Sequence, residues 1–205
     1  MRTGRLEAFS DGVLAIIITI MVLELHRPDE FTWDGLWSQT GNSLLTYLLS
    51  FVYVGIYWNN HHHMFHLVRR VSGGILWANL GLLFMLSLFP FTTGWMDESK
   101  LQPVPVIVYG ANLLLAAIAY FVLQTAIIRQ QGEGSPLQRA VGIDLKGKLS
   151  PVFYIAGISC AWLIGGRLGS LLGLGFFTVV AVAWVVPDRR IDRVVREHQA
   201  AEGED

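Results

Sequence analysis

Polar side chains are scarce in this chain, so each one set inside an apolar run raises the question of its partner. Ser10 and Asp11 stand at the head of an apolar run that Glu24 closes, with Arg5 just before them. Asn59, Asn60, His61, His62, His63 and His66 form a second polar group at the end of another apolar run. Burying a hydroxyl or a charge without a hydrogen bond is costly, so such groups turn toward protein or water rather than lipid. The histidines first suggest a metal. Successive residues on a helix point about 100° apart, so three consecutive histidines cannot share one ion. His62 and His66, four residues apart, could supply two ligands. No cysteine or third ligand lies nearby, and no general base, so neither a metal centre nor an intramembrane metal-dependent enzyme is expected. The expected chemistry is hydrogen bonding: the histidines and asparagines lie at the same depth as Arg5, Ser10 and Asp11 and can bond to the Ser-Asp pair.

The elements that must carry these residues are membrane helices. Hydrophobic residues make up 53% of the 205 and charged residues 15%, against about 25% charged in ordinary soluble domains. The apolar residues fall into six runs, at 9–25, 41–58, 75–95, 104–128, 149–166 and 168–186. Each is close to the ~20 residues that cross the hydrocarbon layer as a helix. Asp11 and Glu24 bracket the first run, and no small-x-small cleavage pattern follows it, so it is read as a retained span rather than a signal peptide. Six spans put both termini on one side. Twelve of the fifteen Lys and Arg residues fall on that side, and only Arg27, Lys100 and Arg167 on the other. Basic loops stay cytoplasmic, so both termini are expected there. Gly165, Gly166 and Arg167 suit a tight turn between the last two spans. Gly169, Gly173 and Gly175 would let helices approach closely. Cys160, the single cysteine, sits in an apolar run and is read as a small buried hydrophobe.

Placed on a helical wheel, the first run separates into two faces. Ser10 and Asp11 share one side. Gly12, Ile16, Ile20 and Leu23 form a stripe on another, with Thr19 beside it. The polar side is expected to pack into the chain's own bundle, which leaves the stripe free. Periodicity alone is equally satisfied by a stripe that faces lipid or protein core.

Arg5, Phe9, Ser10 and Asp11 spell Arg-x-x-x-Phe-Ser-Asp at the start of the first span. This motif resembles the signature of the transmembrane protein 175 family, the endolysosomal potassium channels and their bacterial relatives. The likeness extends to the six-span layout, to Trp58 with His61 and His62 at the end of the second span, and to Asn79 in the third. Animal members carry two six-helix units. This chain has one, like the tetrameric bacterial form. The resemblance implies an all-α membrane protein with six transmembrane helices per subunit, in which four copies of the first helix surround a pore on the symmetry axis. It implies a narrowest ring at Ile16, followed by Ile20 and Leu23, with Thr19 beside the pore. It also implies a structural network of Arg5, Phe9, Ser10, Asp11, His61, His62 and Asn79. No Thr-Val-Gly-Tyr-Gly filter occurs, so selectivity is not expected from backbone carbonyls.

The expectation is therefore a potassium-selective channel, not an enzyme, with hydrophobic constriction rings. Residues 1–187 form the channel domain and 188–205 a cytoplasmic tail. Glu24 at the outer mouth, with Asp29, Glu30 and Asp34, could concentrate cations by its field. The chain is expected in the plasma membrane as a homotetramer, with no cofactor, no metal, no nucleic acid and no soluble substrate, and with potassium as the permeant ion. A secondary transporter or a proton-conducting protein are the alternatives. A transporter would want broken helices and charges at mid-span, and only Pro90 hints at a break.

Overall fold

The computed structural model describes residues 3–68, 70–142 and 144–185, and these are helical with short connections. The expected tail at 188–205 lies outside the described residues, as do Arg2 and Arg69. Among the described residues, eight helices follow one another: α1 (Thr3–Leu23), α2 (Trp33–His66), α3 (Gly73–Ser87), α4 (Phe89–Glu98), α5 (Pro103–Gln131), α6 (Pro136–Val141), α7 (Leu145–Leu163) and α8 (Gly166–Val185). Among the described residues, four stretches are long and apolar enough to cross a membrane: α1, α3 with α4 as one stretch, α5 and α8. Large apolar side chains such as Trp77, Phe84, Phe121 and Val182 stand on the outside of the bundle, an outer surface suited to lipid rather than water. The protein is embedded in the membrane. The helices α2 and α7 cover the expected second and fifth runs. The hydroxyls, amides and histidines of α2 and the two lysines at the start of α7 make them more polar than the other four.

Local sequence explains where the helices start and bend. Thr32 caps α2, its hydroxyl accepting from the Gly35 amide at 3.0 Å, and Ser72 caps α3 through the Ile75 amide. At 34 residues α2 runs well past the expected 41–58 at both ends, about 50 Å at 1.5 Å per residue. The expected third span is divided. Pro90 has no amide hydrogen to give the Leu86 carbonyl, so the helix is interrupted at Leu88 and resumes as α4. The loop before α5 turns on Lys100 and Leu101, both with positive φ. The short α6 was not expected, although Ser135-Pro136 before it and Gly142 after it are ordinary start and stop residues. Gly165 (φ 65°) and Gly166 (φ 55°) make the tight turn between α7 and α8 that the sequence suggested.

At the centre stands α5, packed against α3, α4, α7 and α8, while α1 sits at one edge against α2, α3 and α4. The middle of the core is aromatic: Tyr53, Phe89, Tyr109, Tyr154 and Phe177 lie ring against ring. The hydroxyls among them are paired, Tyr53 donating to the Phe177 carbonyl and Ser50 bonding both Thr93 and Tyr109. Buried polar groups need such partners. This seam ties α2, α4, α5 and α8 together and gives α1 a fixed body to lean on.

A two-faced helix at the edge of the bundle

The candidate site is built on α1. Its inner face is Leu6, Ser10, Leu14, Ile17 and Met21, all buried at the helical spacing. Ser10 is wholly buried, and its Oγ donates to the Leu6 carbonyl one turn earlier at 2.9 Å. The same oxygen accepts from Asn79 Nδ2 of α3 at 3.0 Å. Asn79 Oδ1 lies 2.8 Å from His61 Nε2 of α2. An amide oxygen only accepts, so His61 donates from Nε2. His61 and Asn79 are as fully buried as Ser10, and one unbroken chain of hydrogen bonds links α1, α3 and α2.

A second, exposed connection lies beside the first. Trp58 Nε1 donates to Asp11 Oδ1 at 3.0 Å. The indole stacks on His62 at 6.0 Å, and His62 Nε2 bonds His66 Nε2 at 3.0 Å. The polar groups at this depth are therefore joined, but not as expected. His61 meets Ser10 through Asn79, and His62 meets Asp11 through Trp58. Trp58 was not assigned to the network from sequence. The signal was present, since an indole N–H at the depth of an aspartate needs an acceptor. Asp11 is exposed rather than packed inside. Arg5 and Phe9 are exposed near the start of α1, and Arg5 has no ion pair among the described residues. No group of three or more metal-binding side chains gathers among the described residues.

The other face of α1 carries Gly12, Ile16, Thr19, Ile20 and Leu23, all exposed in the single chain. Ile16 is 58% exposed and Leu23 78%. Thr19 Oγ1 is 2.9 Å from the Ile16 carbonyl and 3.1 Å from that of Ala15, so its proton is held by its own helix. Its lone pairs are left for whatever faces the stripe. Glu24 leans against α4: a Cβ built on Gly94 would lie 3.3 Å from Glu24 Oε2. Asp29, Glu30 and Asp34 lie exposed in or after the following loop.

The family model described as endosomal/lysosomal potassium channel TMEM175 matches residues 5–90, which include α1, the histidines and Asn79. A potassium channel of Chryseobacterium sp. is 48% identical over 198 residues, which are 97% of this chain and 100% of that one. The endosomal/lysosomal proton channel TMEM175 of Homo sapiens is 28% identical over 197 residues, 87% of this chain but only 39% of the human protein. Among solved structures, the crystal structure of a lysosomal potassium-selective channel TMEM175 homolog from Chamaesiphon minutus superposes with a TM-score of 0.73 at 28% identity. It covers 90% of this chain and 96% of its own. The family is one of ion channels, not enzymes. Through its full-length likeness to the Chryseobacterium channel and the match over the α1–α3 network, this chain belongs to the TMEM175 family.

Proposed function

We propose that this chain is the subunit of a potassium-selective channel in which α1 from each of four copies lines the pore. The observation that carries the reading is the division of α1: one face locked into the bundle by Ser10, the opposite face exposed and aliphatic. One helix cannot enclose a water path, so the pore is shared between copies. On the axis, Ile16, Ile20 and Leu23 form successive hydrophobic rings that gate by excluding water. Such rings favour the cation that sheds its hydration at lower cost, potassium over sodium. Thr19, its proton engaged, offers oxygen lone pairs between the rings. Glu24 and the loop acids concentrate cations at the outer mouth. Six helices cross the bilayer in each subunit, α2 and α7 among them, with both termini in the cytoplasm of a plasma-membrane protein. Potassium is the permeant ion and no cofactor takes part.

The test is the reversal potential under bi-ionic potassium and sodium for purified wild type and Ile16→Asn. An amide holds water where a sec-butyl group excludes it, so current should rise and discrimination should fall. Unchanged selectivity in a folded, assembled, conducting variant would remove Ile16 from the filter and pass the role to Ile20 or Leu23.

Proton conduction is the second reading, favoured by the proton-channel names of the animal relatives. A pH gradient imposed with potassium equal on both sides separates the two. A reversal potential that follows the proton gradient supports proton conduction, and one that stays near zero supports potassium.

A further inference from the structure

Away from α1, a concavity opens between α2, α5, α7 and α8. Tyr53, Tyr57, Tyr120, Tyr154 and Trp184 are among its lining residues. Among the polar side chains on the wall that are more than nine-tenths buried are Tyr57, at 8% exposed, and Gln124, at 7%. Neither the Tyr57 hydroxyl nor the Gln124 amide has a hydrogen-bond partner among the described residues, whereas Ser150 on the same wall is paired with Trp184 and the Lys146 carbonyl. Buried polar groups left open to a cavity mark it as built to hold something polar. Asp144 is the one charged residue on the wall. Its Oδ1 caps α7 through the Gly147 amide at 2.9 Å, and it has no ion pair among the described residues. The nearby cation, Lys146, lines the neighbouring groove instead, its Nζ 6.0 Å from the centre of the Trp184 ring.

This composition selects a ligand by charge. An anion would meet the Asp144 carboxylate. A purely apolar ligand would leave Gln124 and Tyr57 unpartnered. A cation gains from the carboxylate, and one with N–H groups also finds acceptors in the Gln124 amide oxygen and the Tyr57 hydroxyl. Phe121, 64% exposed at the rim, supplies an apolar exit on the outer surface.

We propose that this cavity binds a primary ammonium group on an apolar stem, with Asp144 facing the charge and Gln124 and Tyr57 accepting its N–H groups. A free amine and the headgroup of an ethanolamine phospholipid share this chemistry. The test is calorimetric titration of the purified full chain in neutral detergent with 2-phenylethylammonium. Its uncharged analogue 2-phenylethanol and the variants Gln124→Leu and Tyr57→Phe are titrated alongside. Saturable binding that weakens about tenfold in either variant, and that phenylethanol does not match, supports the site. If phosphatidylethanolamine added to the detergent micelles displaces the amine, the lipid headgroup is the source. If it does not, the ligand is a soluble amine. The proposal is overturned if wild type shows no saturable binding, if phenylethanol binds as tightly, or if both variants bind like wild type. The last outcome would leave a water-filled gap. Both variants are nearly isosteric and stand outside α1 and its network, and Asp144 is left untouched because it caps α7.

Discussion

At the scale of single residues, Asn79 is the element that makes α1 and α2 answer to each other. It gives a hydrogen to Ser10 and takes one from His61, so no other side chain of similar size serves as well. Replacing Ser10 by Ala strands the buried Asn79 amide, at a cost of about 1–3 kcal/mol. Asn79→Leu alone strands the buried His61 and leaves Ser10 only its bond to the Leu6 carbonyl, while Ser10→Ala combined with Asn79→Leu should cost less than the sum. A double-mutant cycle on thermal unfolding in detergent should show coupling of about 0.5–3 kcal/mol; strict additivity would mean that the bond contributes nothing. Part of this network was legible in the sequence. Equal depth along two helices placed Ser10, Asp11 and the histidines together, because depth follows from counting residues; Asn79 came from the family resemblance alone. Which of them touch was not legible, since that depends on how each helix is rotated about its axis. Packing of side chains such as Leu14 and Phe65 sets the rotation, and no single-helix pattern records it.

At the scale of elements, the close contact of α7 with α8 rests on glycine. A Cβ on Gly173 would come within 2.9 Å of the Gly157 carbonyl, and one on Gly169 within 2.7 Å of the Cys160 carbonyl. A Cβ on Gly175 would meet nothing within 4 Å. The sequence grouped these three glycines together, and the structure separates them. Gly173→Ala and Gly169→Ala should therefore destabilise the protein by about 1–3 kcal/mol through forced separation of the backbones. Gly175→Ala should be neutral or stabilising by up to about 1 kcal/mol, since alanine is the better helix former. Thermal unfolding of the three variants side by side checks this, and equal effects would show that backbone approach is not what the glycines provide. Gly110 and Gly157, which pack against the Phe177 ring, were not singled out from sequence. An isolated glycine in an apolar run looks the same whether a ring or a lipid tail lies against it. The break at Leu88 was partly legible, because proline announces it. The extra length of α2 was not, because its added turns carry polar residues that resemble loop.

At the scale of the whole molecule, α1 is bound along one side only to the rest of the described residues. The proposed assembly places that open side against its copies, and this can be tested without measuring current. With Cys160 replaced by Ala, the chain has no other cysteine, so Ile16→Cys introduces a single reporter. Subunits that meet along α1 should give a disulfide-linked dimer in the membrane under mild oxidation. Trp77→Cys, on the outer surface of α3, should remain monomeric under the same treatment. Cross-linking at Trp77 and not at Ile16 would place the contact elsewhere.

The bond between Ser10 and Asn79 also has a consequence for the order of biosynthesis. The two residues are 69 positions apart, so Asn79 leaves the ribosome seconds after Ser10 at roughly 5–20 residues per second. Through that interval the first span must wait in the membrane with a serine that has not met its partner. Ser10 can wait because its hydroxyl already gives its hydrogen to the Leu6 carbonyl within α1, a bond that forms as soon as the helix does. The later bond from Asn79 uses a lone pair of the same oxygen, so docking of α3 adds a partner without breaking one. A nascent chain ending at His66 should accordingly hold α1 in the membrane with its N-terminus on the same side as in the complete protein. Protease protection of an N-terminal tag reads this directly, and an inverted or unprotected α1 would mean that the first span depends on the third from the outset.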